Sequence, residues 1–465
     1  MSDAFVSAAA DLLGERGLLT AEADTAPFTR DWLDRFGVPP VAVARPASVD
    51  ELAALMRLAA EHDLAVTPQG GNTGLLGASV AGEAPTVIVA FSRMSRVLDV
   101  DPIGFTVTVE AGATLAAVHE AVAAHGLALP LHLGSEGTAQ IGGLIATNAG
   151  GSHAMRFGMM QDQVLGLEAV LADGRIYDAA RPLIKDNAGY HLARLFCGSE
   201  GTLGLITKAV LRLQPALTHT ATALLTAPSL AALEEAAAPL RRNLGSLLTA
   251  LEFFHETGLA LLERHVEGIT RPVETPGPLY LLAEVASAAD LPLSDILEAA
   301  MVGALEAGAF TDGAVASSEA QRAAFWRLRE EMPEGQRREG LQLKHDVAVP
   351  VGRLAGFVDR ASTVASDILP SVRINPFGHL GDGNVHFNLS PPEGTADFSG
   401  KAEALTNAIY ETAVAEGGTF AAEHGLGQAK VAMADRLRPP VERDLTRTIK
   451  AAFDPKGRLN PGKVL

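Results

Sequence analysis

The chain has 465 residues, of which 48% are apolar and 20% charged; this is a globular balance, and the length implies two or three domains rather than one core. Acidic residues outnumber basic ones by 55 to 37, giving a formal charge of −18, which disfavours nucleic acid and anionic membrane surfaces as partners. The single cysteine, Cys197, excludes internal disulfides, zinc ribbons and thiolate clusters.

The first 40 residues read as a helical lead-in ending at Val38-Pro39-Pro40. This N-terminal stretch carries Asp3, Asp11 and Glu15 without a basic leader, so signal and transit peptides are disfavoured. No run of about 18 apolar residues predicts a transmembrane segment, and a cytoplasmic enzyme is expected. Val41–Arg45 reads as a strand, and Ser48 with Glu51 forms a capping box. Leu52, Leu55, Met56 and Ala59 follow at helical spacing, and Leu64–Thr67 is strand-like, together predicting a βαβ unit. Strands are predicted at Thr86–Phe91 and Phe105–Glu110, and a helix at Leu115–His125. Glycine-rich turns run through 70–82, 134–158 and 198–204. The texture changes near Leu213–Ala216, after which helical Ala/Leu/Glu stretches alternate with apolar strands such as Leu279–Glu284. The expected division is therefore 1–40, 41–216, 217–450 and a Gly/Pro-rich tail, 451–465. GSEGT occurs at 134–138 and 198–202 with unmatched flanks, which reads as two similar loops rather than a duplicated domain.

Three glycine segments carry the first chemical signal. Pro68–Ser79 follows a predicted strand, and its consecutive glycines can aim backbone N–H groups at an anion such as a pyrophosphate. Asn72, Thr73 and Ser79 add side-chain donors. Gly134–Gly151 and Gly198–Gly204 are also rich in small residues. Each segment alone fits an ordinary tight loop equally well. Three of them within about 140 residues favour one large cofactor threaded between them. G-x-G-x-x-G is absent, so the nicotinamide fingerprint is missing. The near P-loop at Gly457–Lys463 is followed by Val464 and one further residue, which leaves no room for the helix that a triphosphate-binding loop requires.

A second signal lies in Asn375–Asn388. Asp382-Gly383 is a preferred two-residue hairpin turn, and counting outward sets His379 opposite His386, about 5 Å apart on one face, with Asn388 on the same face. Two imidazoles so placed suit one metal ion; the alternative is a hydrogen-bonded histidine pair at a turn. With no thiolate available, a carboxylate is the expected third ligand. Glu423, beside His424 and followed by Gly425 and Gly427, is the candidate. Two histidines and a carboxylate fit zinc with an open position, or another divalent ion. Arg329 and Lys344, taken alone, read as surface cations.

Together, PQGGNTGLLGAS, ATNAGG, LIKDNAGYHLARLFCGSEGTLGLIT, HLGDGNVH, EHGLG and the closing NPGK resemble the vanillyl-alcohol oxidase and p-cresol methylhydroxylase superfamily of flavoproteins. Within it they resemble the D-2-hydroxyglutarate dehydrogenase branch of the FAD-linked D-2-hydroxy-acid dehydrogenases. The resemblance spans residues 68–465. It implies an α+β chain, with an FAD-binding domain of two α/β subdomains and a substrate or cap domain of antiparallel sheet and helices. By this resemblance the first loop (Pro68, Gly70, Gly71, Asn72, Thr73, Gly74, Leu75, Gly77, Ser79) holds the FAD pyrophosphate. Pro130, Gly134, Ser135, Thr138, Gly142, Gly143, Asn148, Gly151, Glu200, Gly201, Ile206 and Asn460 line the rest of the cofactor. No histidine or cysteine lies inside the first loop, so a non-covalent flavin is expected.

The implied mechanism has His379, His386 and Glu423 binding the metal, which lowers the pKa of the substrate hydroxyl. His424 takes the proton, hydride passes from C2 to the flavin, and Arg329 and Lys344, with Asn388 nearby, hold a substrate carboxylate. The product is a 2-oxo acid. The electron acceptor is expected to be an electron-transfer flavoprotein, a quinone or a cytochrome, and homodimerisation is compatible with this reading. One departure is Pro333, where the relatives place a hydroxyl residue four after the arginine. That leaves D-2-hydroxyglutarate, D-malate and D-lactate open as substrates. A flavoprotein oxidase acting on a similar acid is the alternative within the class, and a flavin-free metallohydrolase the alternative outside it. The metallohydrolase leaves the three glycine segments unexplained.

Overall fold

The computed structural model describes residues 2–82, 85–273 and 275–465, divided into two compact units. The first comprises Met1–Gly151, Phe157–Ala216 and Glu423–Leu465; the second comprises Ser152–Arg156 and Leu217–Ala422.

The first unit holds two larger sheets beside the two-stranded pair of Leu127–Ala128 with Gln214–Pro215. One has Thr86–Ala90 at its centre, paired in parallel with Ala42–Ala44 and Ala65–Gln69, and Leu18–Leu19 added antiparallel at the edge. Every residue of Ala42–Ala44 and Thr86–Ala90 is buried, as parallel strands covered on both faces require. The helix between Ala42–Ala44 and Ala65–Gln69 is Val49–Glu61, which buries Leu52, Leu55, Met56 and Ala59. Ser48 Oγ accepts the Glu51 N–H at 3.1 Å. The returning bond from Glu51 goes to the Ala47 N–H at 2.8 Å rather than to the cap's own amide. The other sheet has five antiparallel strands in the order Val97–Asp101, Thr106–Glu110, Leu205–Arg212, Val164–Val170, Ile176–Asp178. One apolar core serves both sheets, with Val66, Val87, Val109, Leu167 and Leu205 among its members. The segment Glu423–Leu465 belongs to this unit and contains the helices Val431–Leu437 and Pro440–Phe453 ahead of the tail. Its end joins the first sheet, where Leu459 bridges Val66 in parallel and the Asn460 N–H donates to the Val66 carbonyl at 2.8 Å.

The second unit is built on a seven-stranded antiparallel sheet. Its order is Asp312–Val315, His219–Ala227, Leu279–Ser287, Leu248–His255, Arg373–His379, Asn384–Ser390, Asp346–Ala348. The helices Glu256–His265, Glu319–Glu330 and Met332–Glu339 pack Leu259, Leu262, Phe325, Leu328 and Met332 against Phe254, Tyr280, Leu282 and Phe377 of the sheet. The chain is thus α+β, with mixed and antiparallel sheets in the first unit and an antiparallel sheet with helices in the second.

The hairpin register differs from the expected one. His379 pairs with Asn384 and Phe377 with His386, so residues 380–383 form a four-residue connection in place of a two-residue turn. The Gly383 N–H donates to the His379 carbonyl at 3.0 Å, and Asp382 Oδ1 accepts the Asn384 N–H at 3.1 Å. The register moves by two residues, which preserves side-chain parity. His379 and His386 therefore still share one face, as diagonal neighbours.

Among the described residues no helix is long and apolar enough to cross a membrane.

The tail's Lys463 is 2% exposed and donates to the Val80 carbonyl at 2.9 Å. Burial pulls its ammonium down to about 8, against the opposing charge of Glu200. An unfolded lysine keeps its proton to about pH 10.4, so between pH 8 and that value the unfolded chain binds more protons and folding gains stability as pH rises. Relative to Lys463→Met, the wild-type unfolding free energy should therefore climb by roughly 3 kcal/mol across this window, at about 1.4 kcal/mol per pH unit. Denaturant titrations of both proteins at several pH values check this, and a constant difference would show that Lys463 keeps its proton.

Candidate functional site

In the first unit the three glycine segments converge on one partly open cavity. Of the residues anticipated for the cofactor, Pro68, Gly70, Ser79, Gly142, Gly143, Glu200, Gly201 and Ile206 line it. Gly143 is the informative one. It sits inside the helix Ile141–Ala146, where glycine costs about 1 kcal/mol against alanine. It has no positive φ, and a Cβ there would meet nothing within 4 Å. Neither backbone conformation nor packing explains the glycine; the space in front of it does. Gly134 and Gly74 likewise face open space. Gly71, Gly142 and Gly151 are instead places where a Cβ would strike Thr138, Ala111 and His132 respectively, so they bring the loops together. Gln140, absent from the sequence reading, also lines the cavity, and its buried Oε1 has no hydrogen-bond partner. A space walled by glycine, small residues and an unsatisfied amide oxygen fits a large, partly polar cofactor.

Several other anticipated residues brace this cradle. Ser79 Oγ donates to Asn72 Oδ1 at 2.7 Å, and Asn72 Nδ2 donates to the Arg30 carbonyl at 2.8 Å. These two side chains, expected as anion donors, thus direct their hydrogens to each other and to the chain. Thr73, Leu75 and Gly77 complete the loop, with Gly77 (φ +72°) turning against Phe36. Pro130 is buried, Ser135 half-buried and Thr138 exposed in the second segment, and Asn148 Oδ1 accepts the Gln161 N–H at 2.9 Å. Asn460 Nδ2 donates to the carbonyls of Ala78 (2.9 Å) and Glu200 (2.6 Å), tying the first and third loops together. Its Oδ1 is buried without a partner.

Glu200 does more than line the cavity. Its carboxylate accepts the N–H groups of Leu426 and Gly427 at 2.7 and 2.8 Å. Burial raises its pKa, and these two bonds with the charges of Lys430 and Lys463 oppose that rise. Glu200 therefore anchors the loop that begins with Glu423 and His424. Cys197 lies just before this third segment, and burial pushes its thiol up to about 11.

In the second unit the polar residues collect on one face of the sheet. Glu252 pairs with His379 across the strands and is 1% exposed. Its Oε1 lies 2.8 Å from His379 Nδ1, and its Oε2 accepts from Arg329 Nε at 2.8 Å. Burial raises the Glu252 pKa, but the charges of His379 and Arg329 outweigh it and hold the carboxyl well below the usual range. Arg329 is accordingly a half-buried, ion-paired cation rather than a surface one, with its guanidinium 4.9 Å above the Phe377 ring and Nη2 3.5 Å from His379 Nε2. The His379 and His386 rings lie 5.8 Å apart, centre to centre. With Nδ1 held by Glu252, Nε2 is the nitrogen that His379 could offer to an ion, the arrangement that metal-binding histidines favour, so this pair could hold a divalent ion. Asn388 is buried on the same face, where its Nδ2 donates to Gln336 Oε1 at 2.7 Å. Lys344 is exposed, between the Leu343–Leu389 bridge and the Asp346–His386 pair, and so opposite Asn388. Pro333 is exposed in the first turn of the helix Met332–Glu339, where a missing N–H costs nothing. Glu252 was missed in the sequence, although one carboxylate inside the apolar strand LTALEFFH was a visible signal.

Residues 40–180 match the FAD binding domain family and residues 216–464 match the family of FAD linked oxidases, C-terminal domain. The chain belongs to the FAD-linked oxidases. It is 36% identical to a D-2-hydroxyglutarate dehydrogenase from Xanthomonas citri pv. viticola over 96% of this chain and 94% of that protein. It is 33% identical to one from Stutzerimonas stutzeri over 97% of both, and 34% identical to the mitochondrial enzyme of Arabidopsis thaliana over 98% of this chain and 80% of that one. Among solved structures the fold is shared with p-cresol methylhydroxylase (TM-score 0.77, 17% identity, 99% of this chain and 96% of that one). This FAD-linked oxidase is therefore an FAD-dependent oxidoreductase on the D-2-hydroxy-acid dehydrogenase branch, with the superfamily's fold.

Gly143→Leu should place a side chain in the empty space and abolish FAD retention while leaving the fold intact. Flavin absorbance after gel filtration, beside an unchanged circular dichroism spectrum, checks this; full flavin content in the variant would show that the cavity is not the cofactor's.

Proposed function

We propose that this flavoprotein oxidises a D-2-hydroxy acid to the corresponding 2-oxo acid with the help of a divalent metal. The observation that carries the reading is the buried Glu252, which holds a metal-type histidine and a carboxylate-binding guanidinium side by side on one sheet face. The relatives named D-2-hydroxyglutarate dehydrogenase, 33–36% identical over nearly the whole chain, support the same substrate class.

In this reading Arg329 and Lys344 bind the substrate's carboxylate charge, Arg329 as a preorganised fork fixed by Glu252 and Lys344 as a mobile point charge. Asn388 orients the acid from the same face. His379, His386 and Glu423 would hold zinc or a similar ion, whose contribution is to acidify the 2-hydroxyl. His424, on the loop anchored by Glu200, accepts the hydroxyl proton. FAD, held by the glycine cradle, supplies the hydride acceptor. The flavin would be held non-covalently, in keeping with the un-nucleophilic Cys197 thiol, and an electron-transfer flavoprotein, quinone or cytochrome would serve as electron acceptor. A cytoplasmic location agrees with the lone thiol. The glycine cradle disfavours the flavin-free metallohydrolase, which has no use for it.

Anaerobic mixing with a panel of D- and L-2-hydroxy acids tests the activity. At least one of D-2-hydroxyglutarate, D-malate and D-lactate should bleach the flavin while its L-enantiomer does not; a flavin untouched by all D-acids would overturn the reading. His386→Ala should lose bound metal and turnover and keep its flavin spectrum, whereas unchanged turnover would remove the metal from the chemistry. Lys344→Ala should raise KM about 10- to 100-fold, the range of a lost hydrogen bond to a charged group; steady-state kinetics with an unaltered KM would exclude its contact with the acid.

A further inference from the structure

A second group of metal-type side chains lies in the first unit, and the chemistry above does not use it. His119 projects from the helix Leu115–Ala123, and His132 and Glu136 belong to the loop that follows the short strand Leu127–Ala128. His119 Nδ1 is 3.4 Å from Glu136 Oε2, and His132 Nδ1 is 3.0 Å from Glu136 Oε1. The imidazole centres are 5.0 Å apart with their planes at 49°, and one donor atom from each residue lies within 4.8 Å of the other two.

These separations have a simple geometric meaning. Zinc bonds to histidine nitrogen and carboxylate oxygen at about 2.0–2.2 Å, and the edge of a tetrahedron with that radius is about 3.3 Å by the same figures. The observed 3.0 and 3.4 Å, each to a different Glu136 oxygen, are near that edge, and one donor atom from each residue lies within 4.8 Å of the others, so a small closure would seat an ion. The backbone holds the donors in place independently of any ion. The Ala116 N–H donates to the Glu136 carbonyl at 3.1 Å and the Leu115 N–H to the Ala139 carbonyl at 2.9 Å, while the Leu133 N–H donates to Glu136 Oε1 at 3.2 Å. His119 Nε2 is buried, and the Leu129 backbone contributes to holding the ring. The three side chains are graded in exposure, His119 at 20%, Glu136 at 30% and His132 at 48%, so an ion could enter from the His132 side and keep a water there. Imidazole and carboxylate without thiolate select zinc or a comparable divalent ion over soft-metal chemistry.

We propose that His119, His132 and Glu136 form a divalent-metal site of the zinc type that clamps the loop 129–138 to the helix Leu115–Ala123. The loop carries Pro130, Gly134, Ser135 and Thr138, the cofactor residues anticipated in the second segment. An ion here therefore has a structural role, holding that part of the FAD cradle at a second point besides the backbone bonds. This inference uses different residues from the hydroxy-acid reading and stands independently of it.

Metal counting on the full-length, FAD-loaded protein tests it. Wild type, His119→Ala and His132→Ala are stripped with a chelator, reloaded with Zn²⁺, desalted and assayed for zinc by mass spectrometry, with flavin content and circular dichroism as checks on folding. Each variant should carry one zinc per chain fewer than wild type. Reloading with Co²⁺ should give wild type a tetrahedral d–d band component that both variants lack. Should His119→Ala fail to fold, the more exposed His132→Ala decides alone. A folded variant with the wild-type zinc count, or a wild type that binds no zinc at all, would overturn the proposal and leave two imidazoles sharing one carboxylate by hydrogen bonding.

Discussion

The carboxylate of Glu200 is the interaction on which the arrangement of the first unit's loops depends. It sits in the wall of the cofactor cavity and accepts two successive N–H groups, from Leu426 and Gly427. Glu423 and His424 are only two to four residues away, so their placement follows from these bonds. Removing the carboxylate would leave two donors short of a partner, at about 1–3 kcal/mol each where they stay buried. The local sequence is built around it. A Cβ on Gly425 would meet Glu200 Oε1 at 2.5 Å, and Glu200 itself takes φ +49°. The same backbone turn exposes the Glu200 carbonyl to Asn460 Nδ2. One residue therefore joins the third glycine loop, the EHGLG loop and the tail.

The second unit repeats the device with a different acid. Glu252 is also a buried carboxylate that places other groups, here His379 and Arg329. A buried ion pair is weak evidence for stability, because desolvation opposes the Coulombic gain. Its value lies in position: the carboxylate selects the His379 nitrogen that faces away from it and holds Arg329 in one orientation, stacked on Phe377. Each of those side chains would otherwise lose rotamer freedom on meeting a ligand, and here that cost is met in folding. In both units a buried acid fixes neighbouring groups, the Leu426 and Gly427 amides in one case and His379 and Arg329 in the other.

Much of this was legible in the residues. The parallel strands at Ala42–Ala44 and Thr86–Ala90 show in the sequence as short apolar runs, Ser48 marks a helix start, and the glycine segments converge on one cavity as their density suggests. The hairpin was read with the correct face and the wrong register, because Asp382-Gly383 is a strong two-residue turn signal and nothing local shows that Asp382 instead accepts the Asn384 N–H. Parity survived because the displacement was even. Asn72 and Ser79 were read as ligand donors, since their side chains are short and polar; that they bind one another is set by loop curvature, which no spacing encodes. The pairing of Glu252 with His379 joins positions 127 apart in sequence, and that of Glu200 with Leu426 and Gly427 joins positions more than 220 apart. Such contacts follow from topology, so the sequence could offer only an acid out of place in an apolar strand.

The net charge of −18 is reconciled with anionic ligands by two different local means. Surface charges beyond about 8 Å are screened at physiological salt, so the bulk charge governs solubility more than binding. Among the described lining residues of the cofactor cavity there is no lysine or arginine; the one charged group is Glu200, already committed to two amides. A pyrophosphate there must rely on backbone N–H groups, which glycine-rich loops can aim at an anion, and this explains why small residues rather than cations dominate the cavity. In the proposed function, Arg329 and Lys344 would take that part in the second unit. Such a division would make physical sense: a resident cofactor can be held by many weak dipoles that need never release it, whereas an acid that must enter and leave is better met by a few strong charges.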